Sequence, residues 1–255
     1  MESFNLQVFL KSIEKYRVTH LMLVPSVLVM LAKYPPLGDY DLSSVREVLC
    51  GAAPLPKHLI DEVKKRMKCS SIRNGYGMTE LSVLASVSDR SPNSAETVGF
   101  PVPNIHCKVV DQTTQETLGA GQIGELCFKG EQVMMGYYNN PKATAETIDK
   151  DGWLHSGDYG YYDKDGKMHV TGRLKELIKY KAYQVAPSEI ETVLLSHPDV
   201  KDAAVIGKPD ETAGELPMAF IVRQPGSQIT GEEIVTYVKK NLSPQKWLRG
   251  GVKFI

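Results

Sequence analysis

Residues 73–80, RNGYGMTE, bring two glycines, an aromatic ring, a hydroxyl and a carboxylate into eight positions. Gly75 and Gly77 let the backbone come close to a ligand where a side chain would obstruct it. Tyr76 offers an aromatic face, Thr79 a hydroxyl, and Glu80 a hard oxygen suited to a magnesium ion. The fragment GYG on its own also reads as a turn punctuated by glycine. A second stretch, WLHSGDYGYYDKDGKMHVTGR (153–173), holds Asp158 after a glycine and Arg173 at the end of a hairpin. A carboxylate beside a turn can accept from two vicinal hydroxyls, as in holding a ribose. Arg173 can grip the same ribose or a phosphate with its rigid fork. The alternative is an exposed hairpin with an ordinary surface ion pair. In LCGAAPLPK (49–57), Gly51, Ala52 and Ala53 leave room for something flat, or simply let a helix pack closely on a sheet.

GRLKELIKYKAYQVAPSEIE (172–191) is harder to place. As one strand, period two puts Lys175, Lys179 and Lys181 on a single face together with Leu177 and Tyr183. As a helix, Lys175 and Lys179 align while Lys181 swings away. His155 and His169 are set aside: there is no nucleophile elbow, and lone strand histidines are more often packed or solvated than catalytic. Metal-ligand spacings are absent.

The elements that must hold these residues follow from pattern. Leu6, Phe9, Leu10, Ile13 and Tyr16 keep helical spacing, and VTHLMLV reads as a buried strand halted at Pro25. SVLVMLAKY is a helix closed by prolines, SSVREVLCG a strand, and PLPKHLIDEVKKRM an amphipathic helix. That alternation predicts a parallel sheet with crossover helices. After residue 96 the chain reads as antiparallel strands, the last pair turning at Asp165-Gly166. From Pro187 a compact α+β unit follows, with a Thr230–Glu233 capping box. The expected architecture is α/β: a parallel sheet segment plus an antiparallel β subdomain over residues 1–173, then a small mobile α+β domain over 174–255.

The 255 residues suffice for one large or two ordinary domains, and thirty basic residues balance thirty acidic ones. No global field favours nucleic acid or a membrane surface, so an anionic ligand must be held by local groups. Cys50, Cys69, Cys107 and Cys127 are scattered and read as reduced thiols of an intracellular protein. No stretch has the length of a membrane span and the N-terminus lacks signal-peptide form. Both ends read as cut.

Taken in order, GYGMTE, GWLHSGD, GRLKELIKYKAYQVAPSEIE and DETAGELP resemble the adenylate-forming superfamily, most of all its luciferase and coumarate–CoA ligase branch. The resemblance covers essentially the whole chain. It implies an enzyme that joins a carboxylic acid to ATP as an acyl-adenylate, rotates its small domain, and passes the acyl group to coenzyme A. ATP or AMP, Mg2+ and coenzyme A are the implied cofactors and partners. Tyr76 would stack near the adenine, with Ala52, Ala53, Asn74, Gly75, Gly77 and Met78 lining the pocket. Thr79 would contact phosphate, Glu80 would hold magnesium, and Asp158 and Arg173 would hold the ribose. Gly51 and Val83 would border the acid. Lys175 would be the hinge, Lys179 would act in thioester formation, and Lys181 with Ala182 would flank the coenzyme A channel.

Three departures qualify the resemblance. The family's phosphate-gripping loop and the motif after it lie upstream of anything present. Its adenylation lysine falls beyond LRGGVKFI, and Ala182 replaces a usual glycine. A partial acid–CoA ligase for a hydrophobic fatty or aryl acid, inactive alone, is expected. A non-catalytic nucleotide-binding module and a luciferase-type oxygenase are the alternatives. Val83 stands where beetle luciferases tend to carry a small hydroxyl residue, which favours the ligase. A cytoplasmic or peroxisomal location is implied; neither the acid nor the oligomeric state is legible.

Overall fold

The structure is a computed structural model, and it describes residues 4–52, 57–91, 94–181 and 183–255. The chain divides into two compact units, Met1–Ser156 with Tyr161–Val170, and Gly157–Gly160 with Thr171–Ile255.

The first unit opens with helix α1 (Leu6–Tyr16), whose Asn5 cap accepts the Val8 amide at 3.0 Å. Strands β1 (His20–Leu23), β2 (Glu47–Gly51) and β3 (Ser71–Tyr76) pair in parallel, with Leu23 opposite Cys50 and Gly51 opposite Gly75. Helices α2 (Pro25–Lys33) and α3 (Lys57–Met67) lie between successive strands in the sequence. Pro25 ends the strand as expected and also occupies the first turn of α2, where its missing N–H costs nothing. Leu10, Ile13, Leu28, Leu31, Val48, Val63 and Ile72 are almost fully buried in one cluster. Fully burying one such side chain is worth about 1.5–3 kcal/mol. Two short antiparallel strands, β4 (Ser86–Val87) and β5 (Phe100–Pro101), extend this sheet, so it is mixed.

A second sheet runs in the order β6 (Ile105–Val110), β7 (Gly124–Gly130), β8 (Leu154–Tyr162), β9 (Met168–Arg173). A short helix, α4 (Pro141–Thr147), interrupts the sequence between β7 and β8. The turn expected at Asp165-Gly166 is present. Asp163 accepts the Asp165 and Lys167 amides at 3.0 and 2.9 Å, and Gly166 has φ 81°. Phe128, Leu126, Leu154 and Leu81 centre the core beside this sheet.

In the second unit, β10 (Ile178–Tyr180), β11 (Tyr183–Val185), β12 (Val200–Asp210) and β13 (Gly214–Arg223) form a sheet in the order β11-β10-β13-β12. Strand β14 (Gly251–Phe254) pairs parallel to β13. Helices α5 (Pro187–Leu195) and α6 (Gly231–Asn241) supply Ile190, Leu194, Ile234 and Val238 to the core. The Thr230–Glu233 capping box is formed in both directions.

The lysine run is neither one strand nor one helix. Lys175 sits in a 3-10 turn (Leu174–Glu176), Lys179 in β10, and Lys181 beyond it with φ 52°. The chain then returns as β11, pairing Lys179 with Gln184 and Tyr180 with Tyr183. No shared face exists, because the turn at 181 resets the alternation. Leu177 is buried while Tyr183 is exposed.

Candidate functional site

In the first unit the glycine-rich turn stands at the carboxyl ends of parallel strands, where open α/β sheets bind ligands. A Cβ on Gly51 would come within 2.9 Å of the Gly75 carbonyl oxygen, so β2 and β3 touch backbone to backbone at their tips. At Gly77 a Cβ would lie 1.5 Å from the Val83 carbonyl oxygen, which no side chain can survive. Past β3 the chain makes a 3-10 turn (Thr79–Leu81) and folds back, the Ala85 amide donating to the Tyr76 carbonyl at 2.9 Å. Gln132 braces this fold: its amide donates to the Leu81 and Leu84 carbonyls at 3.2 and 2.6 Å. Its own carbonyl accepts the Ser82 hydroxyl at 2.8 Å.

Strain accompanies the bracing. Val83 is 74 % exposed at φ 86° and Ser82 has φ 50°. A β-branched residue in the left-handed region is a true outlier, costing on the order of 1–3 kcal/mol, and such strain clusters at functional sites. Ala52 also has positive φ, 77°, directly after β2. Ala53 lies outside the described residues.

Tyr76 stacks on Phe128 with centroids 5.7 Å apart and planes 26° apart, so the core fixes its ring. Asn74 is buried and turned inward: its side-chain amide reaches the Ala95 carbonyl at 3.4 Å, and its backbone amide donates to Ser88 Oγ at 2.9 Å. Met78 packs against the Phe128 cluster. Thr79 is exposed and Glu80 half-buried. The Glu80 carboxylate accepts the Tyr137 hydroxyl at 2.7 Å, and this bond holds the phenol above its usual pKa. A single half-exposed carboxylate is the donor Mg2+ takes when waters and phosphates complete its octahedron, so Glu80 fits that ion.

The second unit holds the other candidates. Arg173 Nε lies 3.4 Å from Asp158 Oδ1; the carboxylate is buried and the guanidinium exposed. Lys175 is exposed. The Lys179 side chain points out of β10 while its amide donates to Glu215 Oε2 at 2.7 Å. Lys181, whose amide donates to the Ala213 carbonyl at 2.7 Å, borders an open cleft of about 480 Å³ with Tyr180, Lys239, Trp247 and Arg249. Lys181 lies over the Tyr180 ring and Lys239 over that of Trp247. Three cations beside two aromatic rings suit an anionic, flat-ringed ligand. Ala182 lies outside the described residues.

Thus Gly51, Ala52 and residues 74–80 with Val83 come together in the first unit, and Asp158 with Arg173 in the second. Gln132, Tyr137 and Glu215 were not singled out from sequence. Gln132 and Tyr137 come from loop positions without motif spacing, and Glu215, though inside DETAGELP, acts through a backbone amide 36 residues away. His155, set aside on sequence grounds, lies against Glu125 and Cys127.

The profile of the AMP-binding enzyme family matches residues 1–138, and that of the AMP-binding enzyme C-terminal domain matches residues 189–255. The chain is 46% identical over 255 residues to a luciferin 4-monooxygenase of Photinus pyralis, covering all of this chain and 46% of that protein. It is 46% identical over 247 residues to 4-coumarate–CoA ligase 2 of Nicotiana tabacum, covering 95% of this chain and 46% of that one. The solved structure of ATP-bound MatB from Rhodopseudomonas palustris superimposes with a TM-score of 0.91 at 29% identity, over 100% of this chain and 50% of that one. The chain therefore spans about half the length of the curated relatives it matches. On these matches, and on motifs whose geometry is set out above, the chain belongs to the AMP-binding, adenylate-forming enzyme family.

Proposed function

We propose that the chain serves an ATP-dependent acid–CoA ligase acting on a hydrophobic fatty or aryl acid, through an acyl-adenylate. The observation that carries this reading is the strained, glycine-locked turn at the carboxyl tips of parallel strands, with Glu80 placed on it. In this reading residues 1–173 are the later part of the adenylating domain and residues 174–255 the mobile C-terminal domain. The Gly75–Gly77 backbone and Tyr76 receive the adenine, and Gly51 and Val83 border the acid. Thr79 donates to a phosphate oxygen. Mg2+, where Glu80 holds it, supplies charge neutralisation on the phosphates. Asp158 accepts from the ribose hydroxyls, and Arg173, 3.4 Å away, orients that carboxylate. Lys179 serves the second half-reaction, while Lys181 flanks the approach of coenzyme A. Lys175 is the position about which the small domain turns.

Titration calorimetry with AMP tests the ribose assignment. Asp158→Ala removes a charge-assisted hydrogen bond worth about 1.5–3 kcal/mol, so AMP should bind roughly ten- to hundredfold more weakly. Equal affinities would take Asp158 out of the site. The two half-reactions are separable in a hybrid where these residues replace the matching half of the tobacco ligase. There Lys179→Ala should leave pyrophosphate exchange nearly intact and slow thioester formation; equal loss of both would refute the alternating role. A luciferase-type oxygenase is the second reading, favoured by the identity to the Photinus protein along the whole chain. Light from the hybrid supplied with luciferin, ATP and oxygen, without acid-dependent thioester, would favour it over the ligase.

A further inference from the structure

Glu125 and Cys127 occupy alternate positions on β7, and His155 stands on neighbouring β8. One donor atom from each lies within 4.8 Å of the other two. His155 Nδ1 is 2.9 Å from Glu125 Oε2 and 3.5 Å from Cys127 Sγ. On the far side of the ring, His155 Nε2 is 3.7 Å from Asp149 Oδ2. Asp149 is itself fixed, its carboxylate accepting the Asp151 and Trp153 amides at 2.9 and 2.8 Å.

We propose that Glu125, Cys127 and His155 form a site for a borderline-soft divalent cation, zinc in the first instance, with Asp149 as the carboxylate that orients the imidazole. None of these four belongs to the nucleotide or coenzyme A assignments above.

Three observations favour a metal over a plain hydrogen-bonded cluster. The first is distance. Zinc bonds of about 2.3 Å to sulfur and 2.0–2.1 Å to nitrogen, at the tetrahedral angle, separate S and N by about 3.6 Å. The observed separation is 3.5 Å. The Glu125–His155 pair need open only a few tenths of an ångström from hydrogen-bond length. The second is the outer carboxylate: Asp149 Oδ2, at 3.7 Å, need close by under about 1 Å to make the bond that recurs behind metal-bound histidines and fixes the ring and its tautomer. The third is charge. Lys108 and Lys129 both lie over the Trp153 ring, at 4.4 and 6.0 Å, and Lys129 donates to the Asp151 carbonyl at 2.7 Å, so the cations gather at the Asp149 turn. A divalent cation offsets the two anionic ligands, the Glu125 carboxylate and the Cys127 thiolate. Mixed S, N and O donors select zinc or cobalt and reject magnesium, which wants oxygen alone.

Binding moves two protons. The Cys127 thiol, which burial otherwise pushes up to about 12, gives its proton to solvent as sulfur bonds the metal. The second proton is the one Nδ1 donates to Glu125 at 2.9 Å: it leaves that nitrogen to the metal and passes by way of solvent to Nε2, on the Asp149 side. Water completes the fourth position. The ion ties β7 to β8 at the strand that leads into Asp158, so its effect is on the firmness of that sheet rather than on the chemistry.

The test uses the full 255-residue chain, stripped with chelator and titrated with Zn2+ against a chromophoric competitor, and separately with Co2+. One equivalent should bind, Co2+ should show a sulfur-to-metal charge-transfer band, and Mg2+ should not compete. Cys127→Ser and Glu125→Gln should each weaken Zn2+ at least tenfold, and Asp149→Asn about ten- to hundredfold. Cys107→Ser, at the neighbouring strand, should leave binding unchanged and so report any general loss of folding. Absence of stoichiometric binding, a Co2+ complex without the charge-transfer band, or full affinity in Cys127→Ser would each overturn the site. AMP affinity measured on the same samples keeps this test separate from the nucleotide assignment.

Discussion

At the scale of single residues, glycine does two different jobs in this chain. Gly77 is obligatory because the Val83 carbonyl occupies the place of a Cβ, whereas a Cβ on Gly38 would meet nothing within 4 Å. Gly77→Ala must displace the fold-back from Met78 to Ala85, and should cost at least about 3 kcal/mol while abolishing AMP binding. Gly38→Ala should change stability by less than about 1 kcal/mol. Urea midpoints of the two variants decide this; similar losses would mean the turn can relax around a methyl group. Gly75 falls between them, its nearest neighbour being the movable end of Leu84 at 3.0 Å. This explains what could be read beforehand. The pattern GYG marks a turn needing freedom, but only the returning carbonyl tells which glycine is irreplaceable. The partner of Glu80 was similarly hidden, since Tyr137 lies 57 positions away.

At the scale of elements, local pattern announced α1, the first two parallel strands and the Thr230 capping box, because each rests on local spacing. It failed on the lysine run, where a left-handed residue at Lys181 splits one apparent strand into β10 and β11. Nothing in the residue type of a lysine signals positive φ. It was silent on α4, a helix of seven residues with no buried side chain and hence no apolar stripe to detect. The hairpin β12–β13 closes on Asp210, whose carboxylate accepts the Thr212 and Ala213 amides at 3.0 and 2.8 Å. The Thr212 hydroxyl joins them at 2.8 Å, and these bonds hold Asp210 below its ordinary pKa. A lowered carboxylate pKa stabilises the fold at pH above the unfolded value of about 3.9, and that contribution vanishes as pH falls through the folded value. Asp210→Asn should therefore lower the melting temperature at pH 6 relative to the parent, with the difference shrinking as pH falls toward 2. A gap that stays constant or widens in acid would show that the carboxylate's charge is not what closes the hairpin.

At the scale of the whole molecule, the balanced charge legible in the sequence is spent locally. Glu47, for example, is held between Arg73 at 3.2 Å and Arg90 at 2.6 Å, which outweighs burial and lowers its pKa. The short return of Gly157–Gly160 into the second unit is invisible to pattern, because it depends on which strand lies beside which. Each unit has its own core, and the chain's two tryptophans fall one to each: Trp153 in the first, Trp247 in the second. Trp153 lies under Lys108, and Trp247 donates to the Leu242 carbonyl at 2.9 Å. Nature has thus placed a separate fluorescent reporter in each half. Strand β8, which follows Trp153, must await a connection of some twenty residues before it pairs with β7, whereas β12 meets β13 across the turn at 211–213. Local pairing is fast and long-range pairing slow. In stopped-flow refolding, emission from Trp247 in a Trp153→Phe variant should recover sooner than emission from Trp153 in a Trp247→Phe variant; the reverse order would contradict it. The later part of the chain is then the quicker to reach its fold, so the time each unit spends exposed is set by connectivity, not by its order in the sequence.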